Sequence, residues 1–393
     1  MHCFYGALRA HRHKYRCFDI AMCGTYFSCS RIGGGVGMLY YKIQKCINLK
    51  QAKIRQNHYF YSVNLLKYFF LICCAYHFLY QLVLLISIKR RKNNIKNTLK
   101  PTKEAVSILI CAKDEQINLE KNLPYIFQQI YPDFEVIIVD DGSTEPFTMQ
   151  HPLLKIIRVN KEEKIGLGKK YALQKGVEAA NKTWILLTDA DCQPTSEHWI
   201  EEMMKNADKQ HKIVLGISPY NTKKGLLNSV IEYETAQTAL QYLGFAILGS
   251  PYMSVGRNVL YHAELLKTKK WNSQELAIAS GDDDLAIQSL ATAENTTVCL
   301  AEDSYTTSDA KSTWQEWIIQ KKRHYQSGGL YRVRDRILLG SFLSSKLILY
   351  FAFCVMLVLG NIYLAAILFL IYVGINTLFQ FMLYRFTQIN TRW

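Results

Sequence analysis

Two pairs of carboxylates stand directly after apolar stretches that have the length of β-strands. Asp140 and Asp141 follow one stretch, and Asp189 and Asp191 follow another with only Ala190 between them. In open α/β sheets, ligands bind outside the carboxyl ends of the strands, so acids placed there can meet a ligand. The first pair could accept hydrogen bonds from a base N–H or from ribose hydroxyls. Its structural alternative is an Asp-Gly turn that caps the next element.

The spacing of Asp189 and Asp191 suits a divalent metal ion. Mg²⁺ and Mn²⁺ prefer oxygen ligands and commonly bridge to phosphates. An exposed Asp-x-Asp after a buried strand therefore predicts a metal site for a diphosphate. A solvated acidic turn is the alternative for an isolated motif of this kind.

A third acidic motif is the run Asp282, Asp283 and Asp284, which precedes a segment with helical character. Three adjacent carboxylates repel one another, which raises at least one pKa unless a cation or hydrogen bonds compensate. A general base with access to an acceptor hydroxyl could lie here. The alternative is an acidic helix N-terminus, which the helix dipole favours.

Basic residues form two further motifs. Gln320 and Arg323 share one helix face, and a guanidinium there suits a diphosphate leaving group, although basic residues beside a membrane usually contact lipid. Lys169 and Lys170 follow a Gly-Leu-Gly turn whose spacing excludes a Walker phosphate loop. These lysines could approach a phosphate or an acid from a helix start, or be solvated.

Short apolar strands alternate with amphipathic helices between Lys100 and about Thr307, which predicts an open α/β sheet. This is the predicted catalytic domain, with bounds at residues 101–329. The predicted strands are Val106–Cys111, Glu135–Val139, Leu154–Val159 and Trp184–Leu187, and the predicted helices are Gln116–Gln129 and Lys169–Ala180.

Apolar segments without formal charge flank this domain. Tyr68–Ile88 is long enough to cross a bilayer as a helix (the predicted segment is 65–88), and the basic cluster after it favours a cytosolic location for the catalytic domain. Leu347–Tyr384, within the predicted segment 342–384, suggests two spans joined at Gly360. One long tilted helix with an interfacial segment is the alternative. Buried core helices of a soluble protein would require shorter apolar runs.

Residues 1–60 form a basic leader with no assigned role and little helical or alternating periodicity. The net charge of +15 lies largely beside the apolar segments, which favours a membrane surface and argues against a nucleic-acid partner. The eleven cysteines lack metal-binding spacings, which disfavours structural zinc. No dinucleotide fingerprint follows the first strand, which excludes a dehydrogenase of that type.

In their order along the chain, these motifs resemble the family 2 inverting glycosyltransferases of GT-A fold, over about Ala105 to Gly329. The resemblance extends loosely to the membrane-bound members related to cellulose, chitin and hyaluronan synthases. It implies a nucleotide-diphospho-sugar donor, Mn²⁺ or Mg²⁺ as cofactor, and a hydroxyl acceptor. Membrane proximity favours a lipid-linked saccharide, a glycolipid or a surface polysaccharide, and the protein is expected to be integral to the membrane.

The resemblance also implies roles for single residues. Asp191 matches the direct metal ligand, Asp189 lies on the ribose or metal side, and Asp282 matches the general base. Because Gly281 replaces the usual Glu of that motif, Asp283 stays a rival for the base. The predicted donor-binding residues are Ala112, Glu115, Asp140, Asp141, Lys170 and Asp189.

Gln320 and Arg323 match the Gln-x-x-Arg-Trp motif on the diphosphate side, with His324 where Trp is usual. Arg257 is expected near the acceptor. The His324 departure argues against a processive polysaccharide synthase, which is the first alternative function. A non-catalytic sensor of sugar nucleotides is the second, and the intact acids argue against it.

Overall fold

The computed structural model describes residues 35–94 and 103–387 and divides the chain into two compact units, 1–67 and 68–393. The described part of the first unit belongs to helix α1 (Gly35–Asn94). Side chains at positions 41–58 are all exposed. Residues 35–58 are helical, although their sequence shows little helical periodicity. Because positions 41–58 have no packed face, this part of α1 carries no apolar period that could reveal it.

Four parallel strands form one half of a seven-stranded sheet. They are β1 (Val106–Ala112), β2 (Phe134–Asp140), β3 (Leu154–Arg158) and β4 (Trp184–Asp189), in the order β3-β2-β1-β4. The central strands are almost continuously buried, as parallel strands covered on both faces require. The predicted α/β sheet is confirmed.

The other half of the sheet is mixed. Its strands are β6 (Ile213–Leu215), β7 (Val259–His262) and β8 (Thr296–Val298). Strand β7 runs antiparallel to β4, and β6 runs antiparallel to β7 and parallel to β8. A separate two-stranded ribbon pairs β5 (Gln193–Pro194) with β9 (Thr306–Thr307), directly after the Asp-x-Asp motif.

The register of the parallel strands brings the acidic motifs to one edge. Ala112 lies opposite Asp140 on β2, and Cys111 lies opposite Asp189 on β4. Both acids therefore flank the end of β1. This edge holds the carboxyl ends of all four parallel strands.

Helices cover both faces of the sheet. They are α2 (Gln116–Phe127), α3 (Lys170–Ala179), α4 (Trp199–Met204), α5 (Leu226–Ile247), α6 (Ala263–Lys267), α7 (Ser273–Leu276), α8 (Asp284–Leu290) and α9 (Trp314–His324). On one face, Gly176 lets α3 approach the sheet, because a Cβ there would lie 2.3 Å from Leu109 Cδ1. Within the described residues, 3₁₀ turns lie at Lys161–Glu163, Glu302–Ser304 and Ser327–Leu330.

Three helices are long and apolar enough to cross a membrane in the described part of the chain. The first is the portion Asn64–Asn94 of α1, and the others are α10 (Val333–Val358) and α11 (Ile362–Thr387). Gly360, with φ at +76°, lies in the turn between α10 and α11. The structure therefore has two separate helices here, and not the single tilted helix that was the alternative.

Polar side chains connect the candidate membrane helices to one another and to the α/β domain. His77 Nδ1 lies 3.1 Å from Ser345 Oγ, and Gln81 donates to Asn376 at 3.3 Å. Gln380 donates to Gln237 of α5 at 3.3 Å. In a bilayer such groups are satisfied by neighbouring helices, so these contacts hold the bundle together.

Candidate active site

The four acids predicted at the strand ends do lie around the end of β1. The Cys111 thiol, near the end of β1, interacts electrostatically with two of them, Asp141 and Asp189. Burial raises its pKa to about 12, opposed by Lys169 and assisted by Asp282, Asp189 and Asp141. Because the Cys111 thiol interacts with Lys169 and all three carboxylates, these groups lie around one region of the sheet edge.

Asp140 and Asp141 have different surroundings. Asp140 is 1% exposed, accepts the Ser143 N–H at 2.9 Å and pairs with Arg158 at 3.1 Å. Asp141 pairs through Oδ2 with Lys164 at 2.5 Å. Its Oδ1 is buried and lacks a hydrogen-bond partner among the described residues. A buried acceptor without a partner costs free energy, so Asp141 Oδ1 is a position where a ligand donor fits.

Lys169 joins two of the acidic motifs. Its Nζ lies 2.6 Å from Asp189 Oδ1 and 3.2 Å from Asp282 Oδ2. Burial alone would lower the pKa of Lys169, but these two carboxylates hold it well above its ordinary value. Burial alone would raise the pKa of Asp189, and the Lys169 charge lowers it instead. Both groups are therefore charged at neutral pH.

Asp191 is exposed, yet desolvation by the surrounding protein and the charge of Asp189 raise its pKa. The Cys192 thiol donates to Asp191 Oδ1 at 3.5 Å. A polar cavity of about 250 Å³ opens beside it, lined also by Asn118, Lys121 and Gln193. Asp191 is thus the acid of the motif that faces open space.

The carboxylate ligands of the Asp-x-Asp motif fit a weakly bound hard cation. No group of three or more His, Cys, Asp or Glu side chains that could hold a metal ion occurs among residues 35–94 and 103–387. Mg²⁺ and Mn²⁺ are usually bound by one or two carboxylates together with substrate phosphates. Asp191, with Asp189 beside it, offers that arrangement.

The remaining acids of the third motif are tied to the backbone and to a neighbouring turn. Asp283 accepts the Gly256 N–H at 2.6 Å and the Asp284 N–H at 2.9 Å. Burial and the charge of Asp282 raise the pKa of Asp283 to about 6. Asp284 accepts hydrogen bonds from Tyr331 at 2.5 Å and from Ser327 at 3.1 Å. In contrast, Asp282 has Lys169 as its one recorded side-chain partner in the described part of the chain.

The basic residues predicted on the diphosphate and acceptor side come from α9 and the loop before β7. Gln320 reaches the Tyr220 hydroxyl at 3.5 Å, and the exposed Arg323 lowers the pKa of Asp189 through its charge. Desolvation and nearby cations lower the pKa of His324 to about 4, so its imidazole is neutral at physiological pH. Arg257 donates to Ser308 and to the Ser218 carbonyl.

Three predicted donor-binding residues take supporting positions. The Ala112 carbonyl accepts the Asp141 N–H at 2.7 Å, and Glu115 accepts a hydrogen bond from Asn118 at 2.5 Å. Lys170 is fully buried and donates to the carbonyls of Ile278 and Ser280, at 2.9 and 2.5 Å. The ammonium group that reaches the acids is that of Lys169.

Several site residues carried no sequence signal of their own. Arg158 and Lys164 neutralise the β2 acids from 18 and 23 residues further along the chain. Tyr220 and Tyr331 are single aromatic residues outside any motif. Only the excess of lysine and arginine between Leu154 and Lys170 hints that cations follow the β2 acids.

A solved structure with the same architecture defines the class of fold. The mannosyltransferase PcManGT from Pyrobaculum calidifontis, solved with GDP-Man and Mn²⁺, matches with a TM-score of 0.55. The match covers 84% of this chain and 99% of that one, at 16% sequence identity. The α/β domain therefore has the GT-A fold.

Sequence comparisons show similarity to one family over part of the chain. Residues 107–268 match the model of glycosyl transferase family 2. An uncharacterized glycosyltransferase of Haemophilus influenzae is 26% identical over 167 residues, which is 41% of this chain. The chain spans about half the length of that relative, 46%. Residues 107–268 of this protein are therefore similar to the glycosyl transferase family 2 domain.

Proposed function

We propose that this protein is a membrane-anchored inverting glycosyltransferase that transfers a sugar from a nucleotide-diphospho-sugar to a hydroxyl of a lipid-linked acceptor. The observation that carries the proposal is the position of Asp282, which shares the Lys169 ammonium with Asp189 of the Asp-x-Asp motif. A base for the acceptor and an acid for the diphosphate side thus lie beside one another.

In the proposed reaction, Asp282 takes the proton of the acceptor hydroxyl. The hydroxyl oxygen then attacks the anomeric carbon from the face opposite the nucleoside diphosphate, whose bond to that carbon breaks, so the configuration inverts. Because both carboxylate oxygens of Asp283 accept backbone N–H groups, Asp282 is the better placed of the two acids for this role.

Asp191 and Asp189 would hold the divalent cation, which supplies electrostatic stabilisation of the charge growing on the diphosphate. The PcManGT structure holds Mn²⁺ with its donor, which supports the same assignment here. Asp141 would bind the nucleoside, with Asp140 and Glu115 in supporting positions beside it. Arg323 and Gln320 would meet the leaving group, with Arg257 and His324 on the acceptor side.

A lipid-linked acceptor suits the position of the catalytic domain. Helix α9, which carries Arg323, ends nine residues before α10 begins at Val333. Helix α5 of the domain packs against a membrane helix, since a Cβ on Gly244 would lie 2.8 Å from Leu84 Cβ. An acceptor with a lipid tail could therefore reach the cleft from the bilayer.

The proposed orientation places the catalytic domain in the cytosol and the Gly360 turn on the other side. Reporter fusions in a bacterial host test it. A fluorescent protein after Trp393 should fluoresce, and alkaline phosphatase fused after Gly360 should be active, because each reporter works on one side only. The reverse pattern would contradict the cytosolic placement.

Nucleoside diphosphate release tests the reaction itself. Detergent-purified protein is given a panel of sugar nucleotides with Mn²⁺ or Mg²⁺ and lipid-linked acceptors. We expect metal-dependent release with one donor, lost in Asp191→Ala and lowered about 10²- to 10⁴-fold in Asp282→Asn, the usual scale for losing a general base. Asp283→Asn should lose less than Asp282→Asn.

Asp303→Asn is the matched control, because Asp303 is an exposed acid outside the site. Nuclear magnetic resonance of the product gives its anomeric configuration, and retention would contradict direct displacement. Donor binding without release under any acceptor would identify a sensor instead of an enzyme acting by this route.

A further inference from the structure

The loop that carries Asp282 is held by two neighbouring lysines through different atoms. Lys170 is fully buried and donates to the carbonyls of Ile278 and Ser280 within this loop. Lysine is almost never fully buried unless its ammonium is paired. Lys170 therefore fixes the backbone directly before Asp282.

Glycines bring the start of α3 against the same loop. Gly166 and Gly168 have φ at +80° and +73°. A Cβ on Gly168 would lie 2.1 Å from the Ala279 carbonyl oxygen, which leaves no space for a side chain. The Leu167 N–H donates to the Leu276 carbonyl at 2.8 Å. Backbone thus packs on backbone, which sets the position of Lys169 relative to the loop.

Lys169 completes the arrangement with its side chain. Its Nζ contacts Asp282 of the loop and Asp189 at the end of β4, at 3.2 and 2.6 Å. Without a cation between them, the two carboxylates would repel each other in a half-buried setting. Lys169 therefore determines how far apart these carboxylates stand.

We propose that Lys169 and Lys170 form a two-lysine clamp that positions Asp282 for the acceptor. Lys170 holds the loop backbone, and Lys169 keeps the Asp282 carboxylate at a set distance from Asp189. Both are positioning residues, since they act on the reaction through Asp282. The inference rests on the proposed role of Asp282 as general base.

The test separates turnover from donor binding in the full-length protein. Lys169→Met should lower kcat by about 100-fold, the effect expected when a reacting group is misplaced by roughly 1 Å. The dissociation constant for the nucleoside diphosphate, measured by calorimetry, should change less than about twofold, well under the 1.4 kcal/mol that a tenfold change represents. Lys169→Arg keeps the charge and should restore part of kcat.

Lys170→Met should lower both kcat and the melting temperature, because two buried carbonyls lose their donor. Lys175→Met is the matched control, since Lys175 lies on the same helix and contacts Glu178 and the Tyr171 ring instead of the loop. If Lys169→Met does not fold, Lys169→Arg is measured instead. We then expect a lowered kcat and an unchanged affinity for the nucleoside diphosphate.

Two results would overturn the clamp. Unchanged kcat in the Lys169 variants would show that Asp282 keeps its position without the lysine. A large loss of nucleoside diphosphate affinity would show that Lys169 serves donor binding, directly or through Asp189. The proposed function fails separately, when Asp282→Asn retains full turnover.

Discussion

The guanidinium of Arg257 lies over the ring of Tyr220, 4.3 Å from the ring centroid. Tyr220 also receives a hydrogen bond from Gln320 of α9, at 3.5 Å. The Arg257 charge in turn interacts with both acids of the Asp-x-Asp motif. One aromatic ring therefore connects the basic residues from two separate segments to the metal-side acids.

Two substitutions of Tyr220 distinguish the contribution of its ring from that of its hydroxyl. Tyr220→Phe keeps the cation–π contact and should retain most of the activity. Tyr220→Leu removes a contact worth about 0.5–2 kcal/mol, so we expect turnover to fall roughly two- to thirtyfold. Initial rates of nucleoside diphosphate release measure both variants. Equal losses in the two would mean that the hydroxyl, and not the ring, matters.

Asp140 and Asp141 should differ when each is changed to asparagine. Asp141 Oδ1 is buried without a partner, so Asp141→Asn should weaken nucleoside diphosphate binding by about tenfold with a small change in melting temperature. Asp140 is satisfied within the protein by Ser143 and Arg158, so Asp140→Asn should chiefly lower the melting temperature. Calorimetry and thermal unfolding of both variants check this. The opposite pattern would place the nucleoside at Asp140.

A methyl group at Gly168 should disturb the site more than one at Gly225. Both glycines have positive φ, but Gly225 has open space around its Cβ position, whereas Gly168 faces the Ala279 carbonyl at 2.1 Å. Gly225→Ala should cost about 1–3 kcal/mol from the backbone alone, because φ is +119° and ψ is 157° there. Gly168→Ala should cost more and should also lower kcat by at least roughly tenfold, because Lys169 moves with it. Similar kcat values in the two variants would contradict the close packing of this turn.

The raised pKa of Asp283 predicts a pH-dependent effect on stability. Burial and Asp282 raise its pKa from 3.8 to about 6, so between these values the folded protein holds a proton that the unfolded chain has released. Wild-type stability should therefore fall as pH rises through this window. The melting temperature of Asp283→Asn minus that of the wild type should become more positive from pH 4 to pH 7. A constant difference would show that Asp283 titrates normally.

The local pattern predicted the first elements well. Predicted and observed ends of β1, β2, β3, β4, α2 and α3 differ by at most two residues, because buried strands and amphipathic helices have distinct periods. The short strands β6 and β8 of three residues each were not predicted, since so few residues cannot establish a period.

The contacts between motifs could not be predicted in the same way. The sequence offered Lys169 and Lys170 as equivalent neighbours, but the packing of the 166–168 turn on the loop at 276–279 sends one ammonium to the acids and the other to backbone carbonyls. That choice depends on segments more than 100 residues apart. Local residue types carry no information about it.

Helix α5 depends on the candidate membrane helices for its packing. Gly244 lies in close contact with Leu84, and Gln237 accepts a hydrogen bond from Gln380. Cutting the chain to residues 103–329 would strip the partners from α5 and present its apolar surface to water, so the excised domain should aggregate. For crystallisation or inhibitor screening, the protein should therefore be prepared as the intact chain in detergent or nanodiscs. For the same reason, grafting the catalytic domain onto a foreign anchor should fail.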